Sequence, residues 1–181
     1  LWLARDRPGI CPLAYAVTPG GLAFASEAKA LFAGGLVTPG LDPVGLKQAI
    51  QLWSPVAPRT SFEGVQSLPP ATVARFAEGR LETWSYWDLD LGEPDPELAG
   101  PRATEALGAV LADAVRLRLR ADVPVAAYLS GGLDSSLVCA LAQEALGGTL
   151  STFSVAFEDE RFDERRFQEE VAAALRTRHR A

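Results

Sequence analysis

Methionine is absent from the 181-residue sequence, histidine occurs once and cysteine twice. A natural reading frame opens on Met, so the absence predicts a processed chain or an internal piece of a longer one. Cys11 and Cys139 lie far apart, a spacing that gives neither a metal-binding pair nor a disulfide framework. Reduced thiols in a cytoplasmic protein are the expectation. Lysine is almost missing too: Lys29 and Lys47 are the only two. The 17 basic residues face 23 acidic ones, for a net charge of −6. That balance argues against sequence-independent nucleic-acid binding, which works by neutralising phosphates. No apolar run is long enough to span a bilayer, and no charged-then-apolar leader opens the chain.

What is present suffices for one compact domain or parts of two, since 48% of the residues are hydrophobic. Up to about Trp87 the chain reads as short strands: LWLARD, LAYAVT, LAFAS, TVARFA and RLETWSYW. Gly20-Gly21 and Glu78 to Arg80 mark hairpin turns. SEAKALFAGG predicts a short helix capped by Ser26, and DPVGLKQAIQLW a second, with Asp42 as N-cap and Pro43 in its first turn. The acidic, Pro- and Gly-rich segment 88–101 reads as a linker between domains 1–87 and 102–181. Beyond it come a helical pattern from Thr104 to Arg120, the apolar run VPVAAYL, a helix from Ser135 to Ala145, and the β-prone run STFSVAF. The last helix, FDERRFQEEVAAAL, has Asp163 as its expected cap. Strand, helix, strand, helix predicts right-handed βαβ units in a buried parallel sheet. ERRFQEEVAAALRTRHRA reads as a helix that stops with neither a Gly cap nor a following strand. The predicted fold class is therefore α+β with antiparallel sheet, followed by an α/β parallel-sheet domain.

Between the VPVAAYL strand and its helix lies LSGGLDSS, Leu129 to Ser136. In open parallel sheets ligands bind beyond the carboxyl ends of the strands. A helix N-terminus there offers unpaired N–H groups and partial positive charge, which favour phosphate. Gly131 and Gly132 permit a close backbone approach and positive φ, and Ser130, Ser135 and Ser136 add hydroxyls. Asp134 would repel a bare phosphate, so it fits either as a Mg²⁺ ligand beside the phosphates or as a helix cap. The loop lacks the Lys of GxxxxGK[ST], which reaches a γ-phosphate. A cradle without that Lys suits a leaving pyrophosphate, with attack at the α-phosphorus. The plain alternative is a Gly-Ser turn with a capping Asp.

SGGLDSS after an apolar strand resembles the pyrophosphate loop of the ATP pyrophosphatase superfamily. RDRPGICPL (Arg5 to Leu13) and FASEAKAL (Phe24 to Leu31) are similar to two segments in the glutaminase domain of glutamine-hydrolysing asparagine synthetases. TSFEGVQSLPPATV and SYW (Ser85 to Trp87) look like the end of that domain. RADVPVAAYLSGGLDSS, TFSVAF, FDERRF and RTRH continue in that family's order. The resemblance covers essentially the whole chain.

It implies an N-terminal-nucleophile glutaminase fold, in part, followed by part of an adenine-nucleotide-binding synthetase domain. It implies that glutamine is hydrolysed, that ammonia travels through an internal tunnel, and that ATP activates aspartate as an acyl-adenylate with release of pyrophosphate. Asparagine and AMP are the implied products. Ser130, Gly131, Gly132, Asp134, Ser135 and Ser136 match the family's ATP-binding pyrophosphate loop. Leu129 and Val155 match positions whose backbones flank the adenine nucleotide. Asp134 is the candidate metal ligand, through Mg-ATP. The implied partners are glutamine, aspartate and ATP, with Mg²⁺, no nucleic acid and no membrane; a homodimer stays open. No catalytic residue is carried over, because the family's nucleophilic cysteine precedes the matched segments, and the chain alone is expected to be inactive. A relative that amidates another carboxylate or closes a β-lactam ring, and a tRNA-modifying ATP pyrophosphatase, are the alternatives.

Several other residues carry structural expectations. Arg5 and Asp6 are expected to form an ion pair that holds their turn, and Cys11 to be a packed thiol rather than a nucleophile. Glu27 and Lys29 fit a helix surface as well as the domain interface that the family has there. Glu158, Asp159, Glu160, Asp163 and Glu164 read as a solvated loop and an acidic helix start rather than a metal cluster. His179 is expected to be solvated in a frayed terminus. Ala71 stands where the family usually has Gly, which leaves the turn type open.

Overall fold

A computed structural model describes residues 1–159 and 161–181. The chain divides into two compact units, Leu1–Gly92 and Glu93–Ala181. Among the described residues no helix is long and apolar enough to cross a membrane.

The first unit contains β1 (Trp2–Ala4), β2 (Ala14–Thr18), β3 (Gly21–Ala25), α1 (Ala28–Ala33), α2 (Pro43–Leu52), β4 (Gln66–Ser67), β5 (Thr72–Ala77) and β6 (Arg80–Ser85). They form two antiparallel three-stranded sheets, ordered β1-β5-β6 and β3-β2-β4. Strand β2 explains the layering. Successive side chains of a strand point to opposite faces. Tyr15 joins Leu3, Leu68 and Ala74 in one cluster, whereas Ala14 and Ala16 join Leu31 and Val65 in another. One face of the β2 sheet thus meets the β1-β5-β6 sheet, and the other is covered by α1.

Local chemistry accounts for the element ends. Asp42 caps α2 by accepting from the Gly45 N–H at 2.7 Å, with Pro43 in the first turn. The Gly45 N–H does most to hold the Asp42 carboxyl below the usual range; Arg59, 2.6 Å away, adds to it. Ser26 does not cap α1: the N-cap position is Glu27, without a side-chain bond, and its carboxylate pairs with Lys29 at 2.7 Å on the exposed surface. Arg5 and Asp6 do hold their turn, but not as an ion pair. Asp6 accepts from the N–H groups of Ile10 and Cys11 at 2.8 and 2.9 Å, and Arg5 donates to the carbonyls of Gly9, Cys11 and Leu68. Cys11 is exposed, so the packed-thiol expectation fails there; Cys139 is the buried one, and burial raises its thiol pKa. Ala71 sits at φ 51, in the left-handed region where glycine costs nothing, which explains why Gly suits that turn.

Residues 88–100 form no strand or helix and are exposed. The second unit contains α3 (Pro101–Arg118), β7 (Ala126–Tyr128), α4 (Leu133–Leu146), β8 (Ser151–Phe153), α5 (Arg165–Leu175) and β9 (Arg178–Arg180). The sheet order is β7-β8-β9, and both pairings are parallel. Val115 of α3, Cys139 and Ala142 of α4 and Ala172 of α5 pack with Leu129 and Leu150 into one core.

Four expectations change here. The chain does not end on a helix. Arg176 at φ 54 closes α5 without a glycine, and Arg178–Arg180 enters the sheet as its third strand. His179 is accordingly half-buried rather than solvated, with Nδ1 3.1 Å from Thr152 Oγ1. The sheet is also not buried on both faces within this unit. Thr152 and Leu129 are buried, but Tyr128 and Phe153 point to the open side and are exposed. Asp163 is not the N-cap residue of α5, which is Glu164; from one position earlier it accepts from the Arg165 N–H at 3.2 Å and pairs with the Arg165 guanidinium at 2.7 Å.

Candidate functional site

LSGGLDSS lies at the carboxyl end of β7. Leu129 is fully buried and donates its N–H to the Phe153 carbonyl at 2.8 Å; its own carbonyl accepts from the Ser154 hydroxyl. The start of the loop is thereby fixed to the end of β8. Gly132 is the N-cap of α4, and Leu133–Leu146 is the helix that the loop opens, two residues longer at its start than expected.

Inside the loop the serines brace one another. Ser130 Oγ and Ser135 Oγ are 2.8 Å apart, and Ser135 Oγ also accepts from the Ser130 N–H at 3.2 Å. Ser130 Oγ accepts from the Gly132 N–H at 3.3 Å. Ser135 and Ser136 both donate to the Gly132 carbonyl, at 3.1 and 2.7 Å. Gly131 adopts φ 82, a conformation that L side chains resist. A β-carbon there would lie 2.8 Å from Phe167 Cβ and 2.9 Å from the Gln168 nitrogen, so the loop touches the first turn of α5 backbone to backbone.

This geometry brings Ser130, Gly131, Gly132, Ser135 and Ser136 into one turn at a helix N-terminus, where backbone N–H groups and the helix dipole favour an anion. Asp134 is exposed in the first turn of α4, and none of the ion pairs among the described residues uses it. Its carboxylate suits a cation shared with phosphate oxygens; alone it is one ligand of the several a metal needs. Among the described residues no group of three His, Cys, Asp or Glu side chains could hold a metal ion. Asp159 pairs with Arg161, and Asp163 with Arg165, so these acids are engaged as surface pairs. Glu160 lies outside the described residues.

Val155 follows β8 on the same carboxyl edge. Its side chain is exposed, and its carbonyl accepts from Gln168 Nε2 at 3.3 Å. Sequence reasoning did not single out Gln168. Its one signal is position: it stands three, four and seven residues before Val171, Ala172 and Leu175, on the apolar face of α5.

Comparison with known proteins is consistent along the chain. The family model for a glutamine amidotransferase domain matches residues 1–87, and the model for asparagine synthase matches residues 106–181. Asparagine synthetase [glutamine-hydrolyzing] 3 of Bacillus subtilis is 32% identical over 168 residues, covering 88% of this chain and 26% of that protein. A putative asparagine synthetase [glutamine-hydrolyzing] of Mycobacterium tuberculosis is 35% identical over 187 residues, 99% of this chain and 28% of its own length. Amidase chry2 of Gibberella zeae is 38% identical over 190 residues, 96% of this chain and 27% of its own length. The chain thus spans about a quarter of the length of the curated relatives it matches.

Proposed function

Since the chain belongs to the family of glutamine-hydrolysing asparagine synthetases, matching a glutamine amidotransferase model and then an asparagine synthase model, we propose that the protein carrying it transfers glutamine nitrogen to a carboxylate at the expense of ATP. The observation that carries this reading is the LSGGLDSS turn. Its Gly131 at φ 82 and its cross-braced serines open α4 at the carboxyl edge of a parallel sheet.

In this reading the first unit is part of an N-terminal-nucleophile glutaminase domain. Its packed antiparallel sheets, with α1 on the outer face, support that assignment. The second unit is part of the synthetase domain. The backbone N–H groups of Gly131 and Gly132 and the hydroxyls of Ser130, Ser135 and Ser136 hold the β- and γ-phosphates of ATP. The backbones of Leu129 and Val155 flank the adenine. Asp134 would share a Mg²⁺ ion with the phosphates, and the ion when bound neutralises their charge. The absence of a loop Lys matches a site where pyrophosphate leaves intact. A carboxylate is a poor acceptor of ammonia; as an acyl-adenylate it carries a good leaving group. Aspartate is the proposed acceptor, and the cytoplasm the proposed location.

A second acceptor class has its own support. Two relatives named as amidases, from Gibberella zeae and Penicillium rubens, are each 38% identical, above the 32% of the Bacillus synthetase. A carboxylate other than free aspartate is therefore the second reading.

ATP–pyrophosphate exchange in the protein carrying this chain tests both. Exchange that depends on aspartate supports asparagine synthesis, and exchange with another carboxylate only supports the second reading. No exchange with any carboxylate overturns the adenylation chemistry.

A further inference from the structure

Gln168 is a polar residue in an apolar setting. It is 3% exposed, on the face of α5 that packs against the core of its unit. Its Nε2 donates to the Val155 carbonyl at 3.3 Å, while its Oε1 is buried without a hydrogen-bond partner among the described residues. Burying an unpaired acceptor costs free energy, and an apolar side chain of similar length would fill the same space without that cost. The amide therefore does something that packing does not require.

What it does follows from its two neighbours. The first turn of α5 abuts Gly131, since a β-carbon there would sit 2.9 Å from the Gln168 nitrogen. The side chain reaches instead to Val155, in the irregular segment after β8 where no ladder bond is available. One residue so relates both parts of the carboxyl edge: its backbone supports the phosphate loop, and its amide fixes a strand-end carbonyl. Only the second contact depends on the side chain.

We propose that Gln168 is a positioning residue of the nucleotide site, whose buried amide fixes the Val155 carbonyl and so sets the base side of the site without touching the phosphates. This rests on the reading of the loop as an ATP site. A carbonyl has two acceptor directions, and the amide occupies one of them. Holding the carbonyl in place leaves the other aimed consistently at a ligand.

Calorimetric titration of the protein with Mg-ATP, and separately with inorganic pyrophosphate and Mg²⁺, tests it. Gln168→Met keeps the length and removes the donor; Gln168→Glu keeps the shape and, when ionised, can only accept. Melting temperatures accompany both. The expected result is about tenfold weaker Mg-ATP binding, the worth of one hydrogen bond, with pyrophosphate affinity unchanged within about twofold. Equal weakening of both ligands, no change in either, or failure of both variants to fold overturns the proposal, since each makes the amide structural only. If the unaltered protein binds neither ligand, the nucleotide reading itself fails and the positioning role falls with it. That result is distinct from a protein that binds both ligands regardless of residue 168.

Discussion

Thr152 Oγ1 stands between Thr177 Oγ1, at 2.8 Å, and His179 Nδ1, at 3.1 Å, and so joins the central strand β8 to the third strand β9 by side chains as well as by the ladder. Thr152 is completely buried. One hydroxyl proton cannot serve both neighbours, so the chain of bonds has a direction set by the His179 tautomer.

Replacing Thr152 by Val conserves shape and leaves both neighbours unpaired. The expected cost is about 1–3 kcal/mol. Thr152→Ser keeps the hydroxyl and loses one methyl, for about 1 kcal/mol. Chemical denaturation of the two variants checks this. If Val is no more destabilising than Ser, the hydrogen-bonded chain contributes nothing.

The loop gives a paired glycine test. Gly131→Ala would force a β-carbon against Phe167 Cβ and the Gln168 backbone at φ 82. The combined strain and overpacking are expected to cost about 2–4 kcal/mol. Gly132 has an ordinary φ of −73, and a β-carbon there would meet only Ser130 Oγ at 3.4 Å. Gly132→Ala is expected to fold nearly as well as the parent. Thermal melts of the two alanine variants decide it, and equal stabilities would contradict the close approach of α5.

These particulars show what could be read from the sequence. The α2 cap at Asp42, the Gly20 turn and the LSGGLDSS loop were legible because each uses residues with a specific local chemistry. The Thr18–Gly21 hairpin pairs as its turn residues predict. Strand β9 is not legible: RHR has no apolar alternation, and the strand exists because β8 offers a free edge and Thr152 a polar partner. Gln168 is not legible for the same reason, since its importance lies in a contact with Val155 rather than in its residue type. The run VPVAAYL read as buried throughout, yet Tyr128 is 83% exposed, because this unit covers only one face of its sheet.

A second pair of glycines separates close approach from helix propensity. A β-carbon on Gly45, in the first turn of α2, would lie 1.9 Å from the Thr60 carbonyl oxygen. Gly45→Ala must displace either α2 or the 60–61 segment, and is expected to destabilise by about 3 kcal/mol. Gly108, inside α3, has nothing within 4 Å of that position. Gly108→Ala is expected to stabilise by about 0.5–1 kcal/mol through helix propensity. Urea titrations of the variants should move in opposite directions, and the same direction for both would refute the assignment.

The turn at Asp6 predicts a pH dependence. Its carboxyl is held below the usual range first by the Cys11 N–H and then by the Ile10 N–H. A pKa lowered in the folded state means that the unfolded chain binds the proton more readily. The stabilisation is therefore fully present above the unfolded carboxyl value, about 3.9, and is lost as pH falls from there through the folded value. Asp6→Asn cannot titrate and cannot accept both N–H groups through oxygen. The parent should melt higher than Asp6→Asn near neutrality, and the gap should narrow below about pH 4. Asp42 is also held low, but it is present in both proteins and cancels in the difference. A gap that stays constant from pH 7 to pH 3 would mean that the turn is held by Arg5 and its three carbonyl contacts rather than by the Asp6 charge.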